Sequence, residues 1–184
     1  MYDFNYWNAE PGLYYLYMMA DGEISPKEKK VFRKICKELE FDSDRKKSLM
    51  EMCERLVDEE PDVLEIITEA EIDEKAGKRM WMGTHSSRER IIWNLINLGY
   101  SDSAYSEEEK KIVNYLVDKW SIDNDVYQEF IDTAETMLAL TRQKEWIIST
   151  FTDDIVQNEK KKKVDQALKQ LQSDIKVTLA EAEL

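Results

Sequence analysis

Apolar residues recur at helical intervals along almost the whole chain. Leu13, Leu16, Tyr17 and Ala20 follow a 3.6-residue period after Pro11, a residue favoured in a first helical turn. Val31, Phe32, Ile35 and Leu39 form the stripe of a second helix beginning near Pro26. Leu49, Met52, Cys53, Leu56 and Val57 predict a third, opened by Ser43 or Asp44, and Val63, Leu64, Ile67 and Ala70 a fourth, opened by Pro61. Residues 77–87 carry two glycines and no period, and read as a loop. The spacing resumes at Ile91, Ile92, Leu95 and Ile96, then at Ile112, Val113, Leu116 and Trp120, then at Val126, Tyr127, Phe130, Ile131 and Ala134. Met137 to Phe151 predicts an eighth helix. In the tail, Val164, Leu168, Leu171 and Ile175 are spaced four, three and four apart, a narrow seam that wants a partner helix. The predicted fold is an all-α bundle of seven to eight helices followed by a C-terminal amphipathic helix. Five Gly and three Pro are too few for a turn-rich β protein.

Charge divides the chain. The formal net charge is −13, yet residues 141–184 hold eight basic and eight acidic side chains, so residues 1–140 carry 18 − 31 = −13. That shift places a helical domain at 1–145 and a helical extension at 146–184. The same acidity argues against nucleic acid as a partner, because phosphate binding needs basic surface. Direct membrane insertion is not expected, since the longest apolar stretch, Leu13 to Ala20, is far short of the ~20 residues a spanning helix needs. The N-terminus lacks a basic start followed by an apolar run, so the expected location is cytoplasmic, with Cys36 and Cys53 reduced. A single His and two Cys leave a Ser-His-Asp triad or a Cys/His zinc site without material.

The most informative feature is an internal repeat. A shift of 81 residues sets Asp21 on Asp102, Ser25 on Ser106, and Glu28-Lys29-Lys30 on Glu109-Lys110-Lys111. The stripe follows without a gap: Val31 with Ile112, Ile35 with Leu116, Leu39 with Trp120, Phe41 with Ile122, Asp42 with Asp123. Two helical halves, at about 10–60 and 90–140, are therefore expected, each with an acidic turn between its first two helices.

Most residues of that turn have folding work. Gly22 takes positive φ cheaply and stops the preceding helix. Ser25 suits an N-cap, Pro26 the first helical position, and Glu28 completes a capping box. Ile24 precedes the cap as an apolar staple. The second copy keeps Ser106, Glu109 and a staple in Tyr105, but Ser103 replaces the glycine. The aspartates are surplus to capping. Asp21 and Glu23 lie beside Glu28, and Asp102 lies near Glu107 and Glu109, so each turn crowds oxygens that suit a hard cation, Ca²⁺ or Mg²⁺ in preference to Zn²⁺. The spacing is not that of an EF-hand. Taken alone, these residues favour capping over metal binding.

Met19-Ala20-Asp21-Gly22-Glu23-Ile24-Ser25 with Glu28, followed by a second acidic turn before another amphipathic helix, resembles the TerB-like family. That family includes bacterial tellurite-resistance proteins and the N-terminal domain of a membrane-anchored DnaJ-type co-chaperone. The resemblance covers residues 10–140 and implies an all-helical fold of two related halves, with an acidic surface for a divalent metal and partner proteins. It assigns Asp21, Glu23 and Glu28 to the first motif and Asp102 and Glu109 to the second. Ala104-Tyr105 and Ser103 depart from the usual pattern.

Other features carry simpler readings. The acidic run Asp58-Glu59-Glu60-Pro61-Asp62 sits where carboxylates favour a helix dipole. No pair of acids with contrasting environments marks a hydrolase, and no enzyme is expected. His85 reads as a loop residue before a helix capped by Ser86 or Ser87. Tyr2, Phe4, Tyr6, Trp7, Tyr14, Tyr15 and Tyr17 read chiefly as core, with a displayed aromatic strip or the loop pair Trp81 and Met82 as alternatives for partner contact. The expectation is a non-enzymatic acidic module of a bacterial stress response that binds a divalent cation and docks to a protein, membrane-associated partners included. A scaffold whose turns only cap helices is the competing reading, and the tail seam admits docking or homodimer formation.

Overall fold

The computed structural model describes Phe4 and residues 8–72, 86–101 and 105–182. His85, Trp81, Met82, Tyr2, Tyr6, Trp7, Asp102, Ser103 and Ala104 lie outside these described residues. All regular elements described are α-helices: α1 (Ala9–Met18), α2 (Pro26–Glu38), α3 (Ser43–Glu59), α4 (Val63–Ile72), α5 (Arg88–Gly99), α6 (Glu107–Trp120), α7 (Asn124–Thr150) and α8 (Asp154–Ala182). Two compact units result, Met1–Ile122 and Asp123–Leu184.

The first unit is built around α1, which packs against α2, α3, α4, α5 and α6. The sequence suggests a one-sided stripe here, but every residue from Ala9 to Met18 is buried. A helix enclosed on all faces needs apolar residues all round, and its tyrosines serve because each has an apolar body. Tyr14, Tyr15 and Tyr17 are therefore core residues, as is Phe4, and display no aromatic strip. Each fully buried ring or branched chain contributes roughly 1.5–3 kcal/mol.

Helix starts follow the capping chemistry. Asp42 Oδ1 accepts from the N–H of Asp44 and Arg45 at 3.0 and 2.9 Å and caps α3, which opens at Ser43, one of the two expected starts. Asp62 does the same for α4, accepting from Leu64 and Glu65. Ser87, rather than Ser86, caps α5 through Arg90 N–H at 3.2 Å. These side chains satisfy N–H groups that the first helical turn leaves without partners.

The repeat survives to the level of single dihedrals. Helices α2 and α3 start at Pro26 and Ser43, and α6 and α7 start 81 residues later at Glu107 and Asn124. Between them, Glu40 has φ 54° and Ser121 φ 55°. Phe41 N–H donates to Cys36 O at 2.8 Å, and Ile122 N–H to Val117 O at 3.0 Å, the long reverse bond that closes a helix through a left-handed residue. Asp123 then caps α7 as Asp42 caps α3.

The second unit is a hairpin. The two helices expected over 126–134 and 137–151 form one continuous α7, because no breaker separates Ala134 from Met137. The tail seam finds its partner within the chain: α8 packs along α7 with Val164, Ile175 and Leu179 buried. Lys144 Nζ holds Asp165 Oδ1 at 2.6 Å, and Thr178 Oγ1 donates to Glu129 Oε1 at 2.7 Å. Among the described residues no helix is long and apolar enough to cross a membrane.

Candidate functional site

Each acidic turn begins where a helix of the first unit stops. After α1, Met19 and Ala20 N–H tighten onto Leu16 O and Tyr17 O at 3.0 and 3.1 Å. Gly22 takes φ 86°, with its N–H on Met19 O, a conformation that strains any residue with a Cβ. Asp21 Oδ1 accepts from Glu23 N–H at 3.1 Å and shapes the exposed loop.

The chain then enters α2 through a complete capping box. Ser25 Oγ accepts from Glu28 N–H at 3.1 Å, and Glu28 Oε2 accepts from Ser25 N–H at 2.7 Å. The second turn repeats this: Ser106 Oγ accepts from Glu109 N–H at 3.2 Å, and Glu109 Oε2 accepts from Ser106 N–H at 2.8 Å. Ser106 Oγ also donates to Glu109 Oε2 at 3.0 Å. The capping roles assigned to Ser25, Glu28, Ser106 and Glu109 are thus realised.

Capping does not account for where the two glutamates lie. Glu28 and Glu109 are among the few buried charged residues, at 4% and 3% exposed. Burial pushes the Glu109 carboxyl up to about 7, bonds from the Ser106 backbone and hydroxyl pull it down, and the charges of Glu28 and Asp21 push it up again. Those two charges belong to the first turn. Packing of α2 on α5 and of α1 on α6 is what brings the halves together. Glu28 and Asp21 of the first repeat therefore bear electrostatically on Glu109 of the second.

The remaining candidates behave differently. Glu23 is exposed, its N–H bonded to Asp21 Oδ1. Asp102 lies outside the described residues. Glu107 is exposed and spends its charge on Lys110, 2.6 Å away, which holds its carboxyl below the usual range. Among the described residues no three His, Cys, Asp or Glu side chains are gathered at metal-binding spacing.

The second turn is braced by aromatics. Tyr105 packs on Tyr100 with ring centroids 4.6 Å apart, and Lys110 lies 5.6 Å from the Tyr105 ring. A Cβ on Gly99 would come within 2.5 Å of both Tyr105 Cδ2 and the Tyr17 hydroxyl. Gly99 is thus the close-approach point at which α1, from the first half, touches the second turn.

One polar network escaped the sequence reading. Tyr14 donates to Glu10 Oε1 at 2.8 Å and accepts from Asn94 Nδ2 at 3.0 Å, tying α1 to α5 inside the core. Burial first, then the Glu10 charge, raises the Tyr14 hydroxyl far above its ordinary value. Glu10 is 1% exposed, and only its position on a wholly apolar helix could have flagged it. Cys36 and Cys53 are free and buried, and burial pushes their thiols up to about 11 and about 12.

The fold and turns define an all-helical module of two related halves that share one acidic junction. A family model described as "Tellurite resistance protein TerB" matches residues 12–130. The chain belongs to that family. No curated protein and no solved structure matches it.

Proposed function

We propose that this TerB module is a non-enzymatic, cytoplasmic component of a bacterial tellurite or stress response that binds a divalent cation at the junction of its acidic turns and docks to a protein partner. One observation carries the reading: burial raises Glu109 of the second turn to about 7, and the charges of Glu28 and Asp21 in the first turn add to that rise. A cation there offsets repulsion that the fold otherwise bears, and fixes the two helix-turn-helix corners against each other. The donors are carboxylate oxygens, which suit Ca²⁺ or Mg²⁺ better than Zn²⁺. The donors would be the carboxylates of Asp21, Glu23 and Glu28 from the first motif and of Asp102 and Glu109 from the second, drawn together by the ion itself, since no three of the described ones already lie at metal-binding spacing. Membrane-associated proteins are among the partners this surface suits.

A second reading has its own support. Both capping boxes are complete without any ion, so the turns also work as pure helix caps in an interaction scaffold. Calorimetric titration of Ca²⁺, Mg²⁺ and Zn²⁺ into chelator-treated protein separates the two. Saturable binding lost in Asp21→Asn and Asp102→Asn supports the cation site. No heat up to millimolar cation, with both variants folded, leaves the scaffold.

A further inference from the structure

We infer that the tip of the α7–α8 hairpin pairs with the same tip of a second copy of this chain. Four large apolar side chains face solvent within eleven residues: Trp146 at 55% exposed, Ile148 at 49%, Ile155 at 73% and Val156 at 38%. Scattered exposed apolars need no explanation, but Ile155 and Val156 stand side by side on the first turn of α8, and Trp146 and Ile148 flank the buried Ile147 at the end of α7. The corner is also held in place. Trp146 meets Phe151 edge-on with centroids 5.7 Å apart, Lys160 Nζ lies 4.8 Å from the Phe151 ring, and Gln157 Nε2 donates to Phe151 O at 2.7 Å. The α8 seam is already occupied by α7, so this surface is distinct from the seam.

The order of charge names the occupant. Along α8 the sequence runs acidic, apolar, basic: Asp153 and Asp154, then Ile155 and Val156, then Lys160 to Lys163. Asp153 caps α8 through Ile155 and Val156 N–H, which fixes the acidic end at the tip. A surface that pairs about a two-fold axis must be complementary to itself. Two α8 helices laid antiparallel, with the axis near residues 157–158, set Asp153 and Asp154 of each copy against Lys160 to Lys163 of the other. Ile155 and Val156 of the two copies then gather near the axis. An anionic lipid surface is disfavoured, because Asp153, Asp154 and Glu159 would meet the negative headgroups beside the apolar tip.

Sedimentation velocity on the full chain over a concentration series tests this. The expected result is a monomer–dimer equilibrium weakened by salt, with Ile155→Asp raising the dissociation constant about tenfold or more. A variant carrying Asp154→Lys and Glu159→Lys, and another carrying Lys160→Glu and Lys162→Glu, should each sediment as monomers yet form a heterodimer when mixed. Circular dichroism checks that each variant keeps its helices. A monomer at every concentration overturns the proposal. So does a dimer indifferent to Ile155→Asp, reversed variants that fail to pair on mixing, or Ile155-dependent binding to phosphatidylserine vesicles without self-association.

Discussion

Glu109→Gln is the perturbation that most sharply separates charge from capping at the second turn. Glutamine keeps an oxygen to accept from Ser106 N–H but removes the charge. Raising the carboxyl from 4.5 to about 7 corresponds to at most about 3 kcal/mol of repulsion and desolvation when the group is ionised. Screening at a turn whose Asp21 and Glu107 are exposed lowers this to about 1–2 kcal/mol. The sign follows from linkage. A folded-state value above the unfolded one means that the folded protein holds the proton more tightly, so the contribution is full below about 4.5 and is lost as pH rises through about 7. Urea unfolding of both proteins at pH 5, 6, 7 and 8 is the assay. The variant should be close to the parent at pH 5, where the folded protein already holds Glu109 protonated and neutral, and more stable by about 1 kcal/mol at pH 8. A constant difference across that range, or a variant weaker at pH 8 than at pH 5 relative to the parent, refutes the claim that ionised Glu109 is under electrostatic strain.

Three further outcomes follow from the packing and the caps. Gly99→Ala drives a methyl against Tyr105 and the Tyr17 hydroxyl and should cost about 1–3 kcal/mol in urea unfolding. Ser25→Ala and Ser106→Ala should each cost about 1 kcal/mol, with Ser106→Ala the larger because its hydroxyl also donates to Glu109. Cys36 and Cys53, buried with thiols raised to about 11 and about 12, should resist a disulfide reagent at pH 8 in the native state and both react in urea.

Local chemistry was readable in the sequence where one or two neighbouring residues decide it. The capping boxes at Ser25 and Ser106, the left-handed Gly22 and the 81-residue repeat all rest on short-range bonds, and all are present. Misreadings arose where tertiary context decides. Periodicity marks a single stripe on α1 through Leu13, Leu16 and Tyr17, whereas the fold encloses all ten of its residues. The α8 seam asked for a partner but could not name α7. The site was half legible. Composition picks out the carboxylates, but only the packing of one half on the other sets Asp21 and Glu28 against Glu109. Glu40 and Ser121, left-handed without being glycine, carried no sequence signal except their place in the repeat.

The central claim is that the two turns form one electrostatic unit. It is tested most directly by following the Glu109 side-chain carboxyl carbon by NMR through a pH titration, in the parent protein, in Asp21→Asn and Glu28→Gln, and with millimolar Ca²⁺. The account predicts a midpoint at about 7 in the parent, lower in both variants, and lower again with Ca²⁺. A midpoint at the ordinary carboxylate value, unmoved by either substitution or by the cation, would contradict it.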